Sequence, residues 1–261
     1  MAYRKKIDDS TGAVLYMRAA DPAGTIWSTS VVDPGGGTKF NSDMSLAQCD
    51  GFPGVAYEDF DDTRFAAYSA ADFSWHGFQA NNFYETRISL ALINGKPALL
   101  SFSFTGFAMQ YVAALDSAGT TWAAPLTIGA VGATGGVSGL LEIGGRPAAA
   151  YTNWFTGQIE YLRANDADGT SWPASPVSLD YGASSQRIGF AVIGAKPAVS
   201  FVGLLYQQAQ DVEGTAWFAA QLVDRFANGT GIQSSLAEIN GQPAIAYYEP
   251  NSGDLRYAVH F

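Results

Sequence analysis

Apolar and polar positions along this chain come in short runs closed by turn residues, with no sustained helical period. The fullest example spans Leu140 to Asp180. Leu140 to Ile143 is a short apolar run ended by Gly144-Gly145, and a second run begins at Pro147-Ala148 and ends at Tyr151. A third, Ile159 to Ala164, ends at an Asp/Gly turn, and Trp172 opens a fourth that closes at Val177-Ser178-Leu179-Asp180. β-Branched and aromatic residues, alternation such as Leu255-Arg256-Tyr257-Ala258-Val259, and regular turn punctuation predict short strands. No long 3.6-residue stripe carries caps at both ends, so helices are not expected.

The four runs recur. The Pro of the second run stands at Pro53, Pro97, Pro147, Pro197 and Pro243, and the Trp of the fourth at Trp27, Trp75, Trp122, Trp172 and Trp217. Steps of roughly 45–50 residues suit a propeller blade. The pair before each Pro is Asp50-Gly51, Asn94-Gly95, Gly144-Gly145, Gly194-Ala195 or Asn240-Gly241, a composition that favours two-residue hairpin turns. Four strands per unit predict an all-β fold, a β-propeller of four-stranded blades. The uniform repeat makes residues 1–261 a single domain, with repeats starting near 45, 88, 137, 188 and 235. Residues 1–20 are a partial repeat or an extra edge hairpin.

Five blades are preferred, with six as the alternative. In the five-bladed reading, Trp27 to Val32 is a fourth strand added to the three closing runs that end at Phe261. The ring is then closed by pairing of the N- and C-terminal strands, which leaves no strand edge open. Six blades would place Arg4-Lys5-Lys6 in a central strand, where charge is costly.

The turn before the Trp reads DPAGTIW from Asp21, DSAGTTW from Asp116, DADGTSW from Asp166 and DVEGTAW from Asp211, while the Trp75 copy reads AADFSW. These turns resemble the Asp-box of sialidases and related propellers, with a spacing one residue longer. The resemblance implies a structural hairpin clasp rather than an active site. The five-unit layout is similar to that of tachylectin-type five-bladed lectins, and the similarity is one of layout only.

In a four-stranded meander the turns alternate between two ends. The Gly-containing turns and the Trp turns repeat closely and read as structure. The loops between second and third strands, and those between blades, vary from unit to unit, and variable loops are where repeat proteins bind. They carry the candidate ligand-binding residues. Glu58 and Asp61 lie in an acidic loop with Asp59 and Asp62, Phe107 follows Phe104, Trp154 adjoins Phe155, and Tyr206 follows Leu204. The blade connections add Phe40, Asn82, Tyr84, Tyr181, Arg225 and Phe226. Rings beside Asn, Asp and Arg suit sugars and peptides alike.

Composition narrows the chemistry. A net charge of −10 with no Lys/Arg stripe argues against nucleic acid, and no apolar run is long enough to span a membrane. Cys49 is the single cysteine, and His76 and His260 are the only histidines, so neither a disulfide nor a zinc site is expected. The acidic loop has oxygen ligands but not EF-hand spacing. It reads as solvated, or as meeting a cationic partner. No GxSxG elbow or phosphate-cradling loop is present, Gly35-Gly36-Gly37 reads as a linker, and no cofactor or metal is expected. The start, MAYRKKIDDS, lacks an apolar segment behind its basic residues, which points to the cytoplasm, with a secreted placement open for a trimmed chain. The function expected is a non-catalytic binding module recognising a glycan. The alternative is a protein- or peptide-binding scaffold. A glycan-cleaving hydrolase ranks third, since two carboxylates across a sugar are enough for one.

Overall fold

The structure, a computed structural model, describes residues 1–7, 12–35, 43–59, 62–81, 85–103, 106–129, 138–153, 155–181, 188–201, 203–224, 234–249 and 251–259. Among these, twenty-two strands form six small antiparallel sheets. The first holds β1 (Ala2–Lys6), β2 (Gly12–Ala19) and β3 (Trp27–Asp33). The second holds β4 (Met44–Cys49), β5 (Phe52–Asp59), β6 (Asp62–Ser69) and β7 (Ser74–Asn81). The third holds β8 (Glu85–Ile93), β9 (Lys96–Ser103), β10 (Ala108–Ala113) and β11 (Leu126–Ile128). The fourth holds β12 (Ser138–Ile143), β13 (Arg146–Thr152), β14 (Gln158–Arg163) and β15 (Val177–Tyr181). The fifth holds β16 (Gly189–Ile193), β17 (Lys196–Phe201), β18 (Leu205–Gln208) and β19 (Gln221–Leu222), and the last holds β20 (Ser234–Ile239), β21 (Gln242–Glu249) and β22 (Asp254–Val259).

Each sheet is a meander in sequence order, as local turn chemistry dictates. The pairs before the prolines have positive φ at both residues, for example 49° and 74° at Asn94-Gly95 and 55° and 65° at Gly194-Ala195. That is the two-residue turn whose twist matches the flanking strands. Ile143↔Arg146 and Ile193↔Lys196 close such hairpins.

The clasps form as their composition demands. Asp116 accepts from Thr120 N at 3.0 Å and Thr121 N at 2.9 Å, and Trp122 Nε1 donates to Gly119 O at 2.8 Å. Asp21 and Asp211 repeat the backbone bonds, and Trp27, Trp172 and Trp217 repeat the indole bond. In the third and fifth sheets the Trp makes only an isolated bridge, Ala114↔Trp122 and Ala209↔Trp217, and the fourth strand begins later, at Leu126 and Gln221.

One expectation is corrected. The Trp27 strand does not complete the last sheet: β3 pairs with β2, from Val14↔Asp33 to Ala19↔Trp27. The Asp21 clasp joins these two strands through a short loop, and closing a short loop costs less chain entropy than joining distant segments. The described residues therefore form six sheets, and β1 is an edge strand on β2 with Lys5 and Lys6 exposed. Charge at an edge is tolerated.

The chain divides into two compact units, Met1–Thr105 with Gln110–Leu126, and Gly106–Met109 with Thr127–Phe261. In the first unit, Val14, Val55, Tyr57 and Ala66 form one buried cluster, and Ala56, Phe65, Leu90, Leu99 and Val112 belong to another. In the second unit, Ile143, Ala150, Tyr161, Val199 and Phe201 pack together, as do Leu204, Tyr206, Leu236, Ile245 and Tyr247. Fully burying one such Leu, Val or Phe contributes about 1.5–3 kcal/mol.

Within each unit, neighbouring sheets meet through a repeated ring contact. Trp75 packs edge-on against Tyr16 at 5.4 Å, Trp122 against Phe65 at 5.4 Å, and Trp217 against Tyr161 at 5.3 Å. Such edge-to-face pairs add about 0.5–1.5 kcal/mol beyond burial.

Candidate functional site

The turns between second and third strands carry the polar clusters, and the repeat fixes which residues meet there. Four positions after its Pro, each second strand has Tyr57, Ser101, Tyr151, Phe201 or Tyr247, and two positions later Asp59, Ser103, Asn153, Gly203 or Glu249. Opposite Tyr57, Tyr151 and Tyr247 on the third strand stand Arg64, Glu160 and Arg256. A set of Asp, Tyr, acid and Arg is complete in two sheets, one in each unit.

In the first unit, Tyr57 Oη donates to Asp33 Oδ2 at 2.9 Å, and Asp33 Oδ1 accepts from Gly35 N at 2.8 Å. Arg64 Nε lies 2.6 Å from Asp59 Oδ2, and Arg64 Nη2 lies 4.0 Å from Asp62 Oδ2. Arg4 Nη2 donates to Glu58 O at 2.8 Å, and its guanidinium carbon stands 6.0 Å from the centre of the Tyr57 ring. Burial pushes the Asp59 carboxyl above its ordinary range, with Asp33 and Asp62 adding to the shift and Arg64 opposing it. Burial likewise lowers the Arg4 guanidinium, against the pull of Glu58, Tyr57 and Asp33. Burial first, then Asp33, raises the Tyr57 hydroxyl far above its usual value, so it stays a donor. Asp59 Oδ1 is buried without a hydrogen-bond partner.

In the second unit, Tyr247 Oη donates to Asp224 Oδ2 at 2.5 Å, and Arg256 lies 3.8 Å from Asp224 Oδ2 and 3.5 Å from Glu249 Oε2. Glu249 also accepts from Asn251 N at 2.9 Å and Ser252 N at 2.8 Å, and the bonds from Ser252 and Asn251 hold its carboxyl down at about 2. The fourth sheet has the same positions with different chemistry. Asn153 Nδ2 donates to Glu160 Oε1 at 2.7 Å, while Asn153 Oδ1 accepts from Phe155 N at 3.0 Å and Thr156 N at 3.3 Å. A Cβ at Gly129 would lie 2.1 Å from the Tyr151 hydroxyl, so no acid can stand there to accept from it. Burial first, then the neighbouring Glu160 carboxylate, raises the Tyr151 hydroxyl far above its usual value, though the two make no well-formed hydrogen bond.

Of the residues singled out from sequence, Phe155 is 73% exposed on the turn that Asn153 locks, and Phe107 is 55% exposed with φ +48°. A bulky side chain in that left-handed region is strained. Glu58 is buried, 3% exposed, between Tyr57 and Asp59, and its carbonyl takes Arg4. Tyr206 is 6% exposed and packs in the core with Leu236 and Tyr247, and burial pushes its hydroxyl up to about 12. Tyr181 ends β15. Phe40, Asp61, Asn82, Tyr84, Trp154, Arg225 and Phe226 lie outside the described residues, as does His260. Sequence reasoning missed Arg4, Asp33, Tyr57, Arg64 and Arg256. The signal was available: Tyr-x-acid at fixed distance from the Pro, with Arg on the next run, occurs in these two units alone.

Among the described residues no group of three or more His, Cys, Asp and Glu is placed to hold a metal ion. Cys49 is buried, and burial pushes its thiol up to about 11. His76 Nε2 lies 2.8 Å from Asp72 Oδ2 on an exposed turn.

No family model matches the chain, and no curated protein matches it. Solved structures do. An exo-β-1,3-galactanase from Phanerochaete chrysosporium with galactose aligns at a TM-score of 0.53 and 11% identity, over 85% of this chain and 60% of that one. A variant of the same galactanase with β-1,3-galactotriose aligns at 0.53 and 12% identity, over 94% of this chain and 64% of that one. The chain thus spans less than two thirds of the galactanase's length. The likeness shows the fold, all-β blades of the β-propeller type, and at these identities it carries no more.

Proposed function

We propose that this protein binds a carbohydrate without cleaving it, through the turns between the second and third strands of its sheets. The observation that carries the reading is Phe155. Its ring is 73% exposed, yet the turn beneath it is fixed by two hydrogen bonds to Asn153 Oδ1. An exposed apolar ring on a turn ordered in advance loses little entropy when a ligand stacks on it. The galactanases that share the fold hold galactose and galactotriose, which makes a neutral galactoside the first ligand to try. Recognition is favoured over cleavage because the carboxylates near Tyr57 already have partners: Asp33 takes Tyr57 and Asp59 takes Arg64.

A second reading, a glycan-cleaving hydrolase, is favoured by Asp59. Its carboxyl is raised by burial, as a general acid requires. Calorimetric titration with β-1,3-galactotriose, beside a reducing-end assay, separates the two. Binding that weakens by about tenfold in Phe155→Ala, with no new reducing ends, supports recognition. Reducing ends that vanish in Asp59→Asn support the hydrolase. No heat with any neutral oligosaccharide of a broad panel sinks both.

A further inference from the structure

The second sheet departs from the repeat at its clasp, and the departure coincides with a cavity at the opposite end of the strands from the Tyr57 cluster. In the third and fifth sheets the clasp glycine sits flush on a ring of the preceding sheet. A Cβ at Gly119 would lie 2.4 Å from Phe65, and one at Gly214 would lie 2.4 Å from Tyr161. The matching ring of the first sheet is Tyr16, and Trp75 packs on it with the same edge geometry. The residue three before Trp75, however, is Asp72. The Trp75 indole donates to Ser30 Oγ at 3.0 Å in place of the usual glycine carbonyl. Tyr16 lines an open cavity of about 410 Å³ with Arg18, Leu46, Gln48, Phe52 and Pro53, while Tyr161 lines a smaller one of about 280 Å³ with Arg163, Glu213 and Gly214.

Two features give this cavity a chemistry. Its two rings, Tyr16 and Phe52, belong to one chain of aromatic contacts. Phe52 meets Tyr68 at 6.4 Å, Tyr68 meets Trp75 at 5.6 Å, and Trp75 meets Tyr16 at 5.4 Å. The second feature is Arg18, two residues after Tyr16 as Arg163 is two after Tyr161. Arg163 is fully occupied. Its Nε donates to Ile143 O at 2.9 Å and its Nη2 to Gly144 O at 3.1 Å, on the first turn of its own sheet, and its Nη1 lies 3.5 Å from Glu213 Oε1. Among the described residues the first sheet has only β1, β2 and β3, so no such turn reaches Arg18. No Asp or Glu lines the cavity among the described residues, and Arg18 is exposed.

We propose that this cavity is a second ligand site and that it takes an acidic sugar, a uronic acid residue. The sugar ring stacks on Phe52 and Tyr16, the carboxylate meets the Arg18 guanidinium, whose fork matches carboxylate geometry, and Gln48 stands at the rim for a hydroxyl. On a chain of net charge −10, a guanidinium in a cavity that no Asp or Glu lines among the described residues is a point an anionic ligand can approach.

The test is titration of the full chain with trigalacturonic acid and with neutral β-1,3-galactotriose, followed by amide chemical shifts. Trigalacturonic acid is expected to shift the amides of Tyr16, Arg18, Gln48 and Phe52 and to bind more weakly as salt rises. Phe52→Ala weakens that binding by about tenfold or more, Arg18→Gln removes the preference for the acidic sugar, and Phe155→Ala leaves it unchanged. Both altered side chains are partly or largely exposed, so an unchanged melting temperature confirms the fold, and the wild-type shift map stands even if a variant is lost. Shifts elsewhere, binding untouched by Phe52→Ala and Arg18→Gln, dependence on Phe155, or no binding at millimolar sugar each overturn the proposal. Galactotriose binding lost in Phe155→Ala bears on the other reading alone.

Discussion

Gly214 has φ +73°, and a Cβ there would fall 2.4 Å from the Tyr161 ring. Backbone and packing therefore demand the same residue. Gly214→Ala is expected to cost roughly 2–4 kcal/mol, the left-handed penalty plus overpacking, read as a lower urea midpoint. Tyr57 and Tyr151 make a sharper pair, because both are buried at the same repeat position. Tyr57 donates to Asp33 at 2.9 Å, whereas Tyr151 stands beside the Glu160 carboxylate without a well-formed hydrogen bond. Tyr57→Phe should cost about 1–2 kcal/mol by leaving Asp33 Oδ2 without its donor, and Tyr151→Phe should cost less, because its hydroxyl makes no well-formed hydrogen bond to Glu160. Equal losses in chemical denaturation would contradict these assignments. The sequence showed that a Tyr recurs here. It did not show which acid each copy faces, because Asp33 comes from the end of the preceding sheet's last strand while Glu160 stands on the neighbouring strand of the same sheet.

The clasp is the element that turns composition into architecture. One Asp side chain satisfies successive backbone N–H groups four and five residues on, and a Trp indole closes the hairpin on the glycine carbonyl. Every bond lies within a single heptapeptide, so the motif was legible from spacing. The same locality explains the error over β3. A strand joined to its neighbour through such a clasp pairs with that neighbour, whatever a distant chain end offers. The clasp also makes the Trp75 copy informative: where its Asp and Gly are missing, the indole donates to Ser30 Oγ on the preceding sheet instead of to its own turn.

Across the whole molecule the clasps and Glu249 add up to a response to acid. The carboxyls of Asp21, Asp116, Asp166 and Asp211 lie below their ordinary range through the hydrogen bonds they accept, that of Asp211 at about 2, and Glu249 also lies at about 2. A depressed carboxyl contributes stability that is present above its unfolded value, near 4, and lost as pH falls through the folded one. Asp59, raised, acts in the opposite sense. The melting temperature should therefore fall between about pH 4 and pH 2. Asp211→Asn should melt lower at pH 6 and show a shallower fall on acidification, and parallel curves for variant and wild type would refute the assignment. The sequence by itself determined the strands, the turns and the clasps, because each rests on groups a few residues apart and on φ values that few residues adopt. Tertiary structure alone decided which side chains meet. Tyr57 and Asp33 are separated by 24 residues and Arg4 and Glu58 by 54, and pairing across such distances is set by how sheets pack, which a local pattern does not encode.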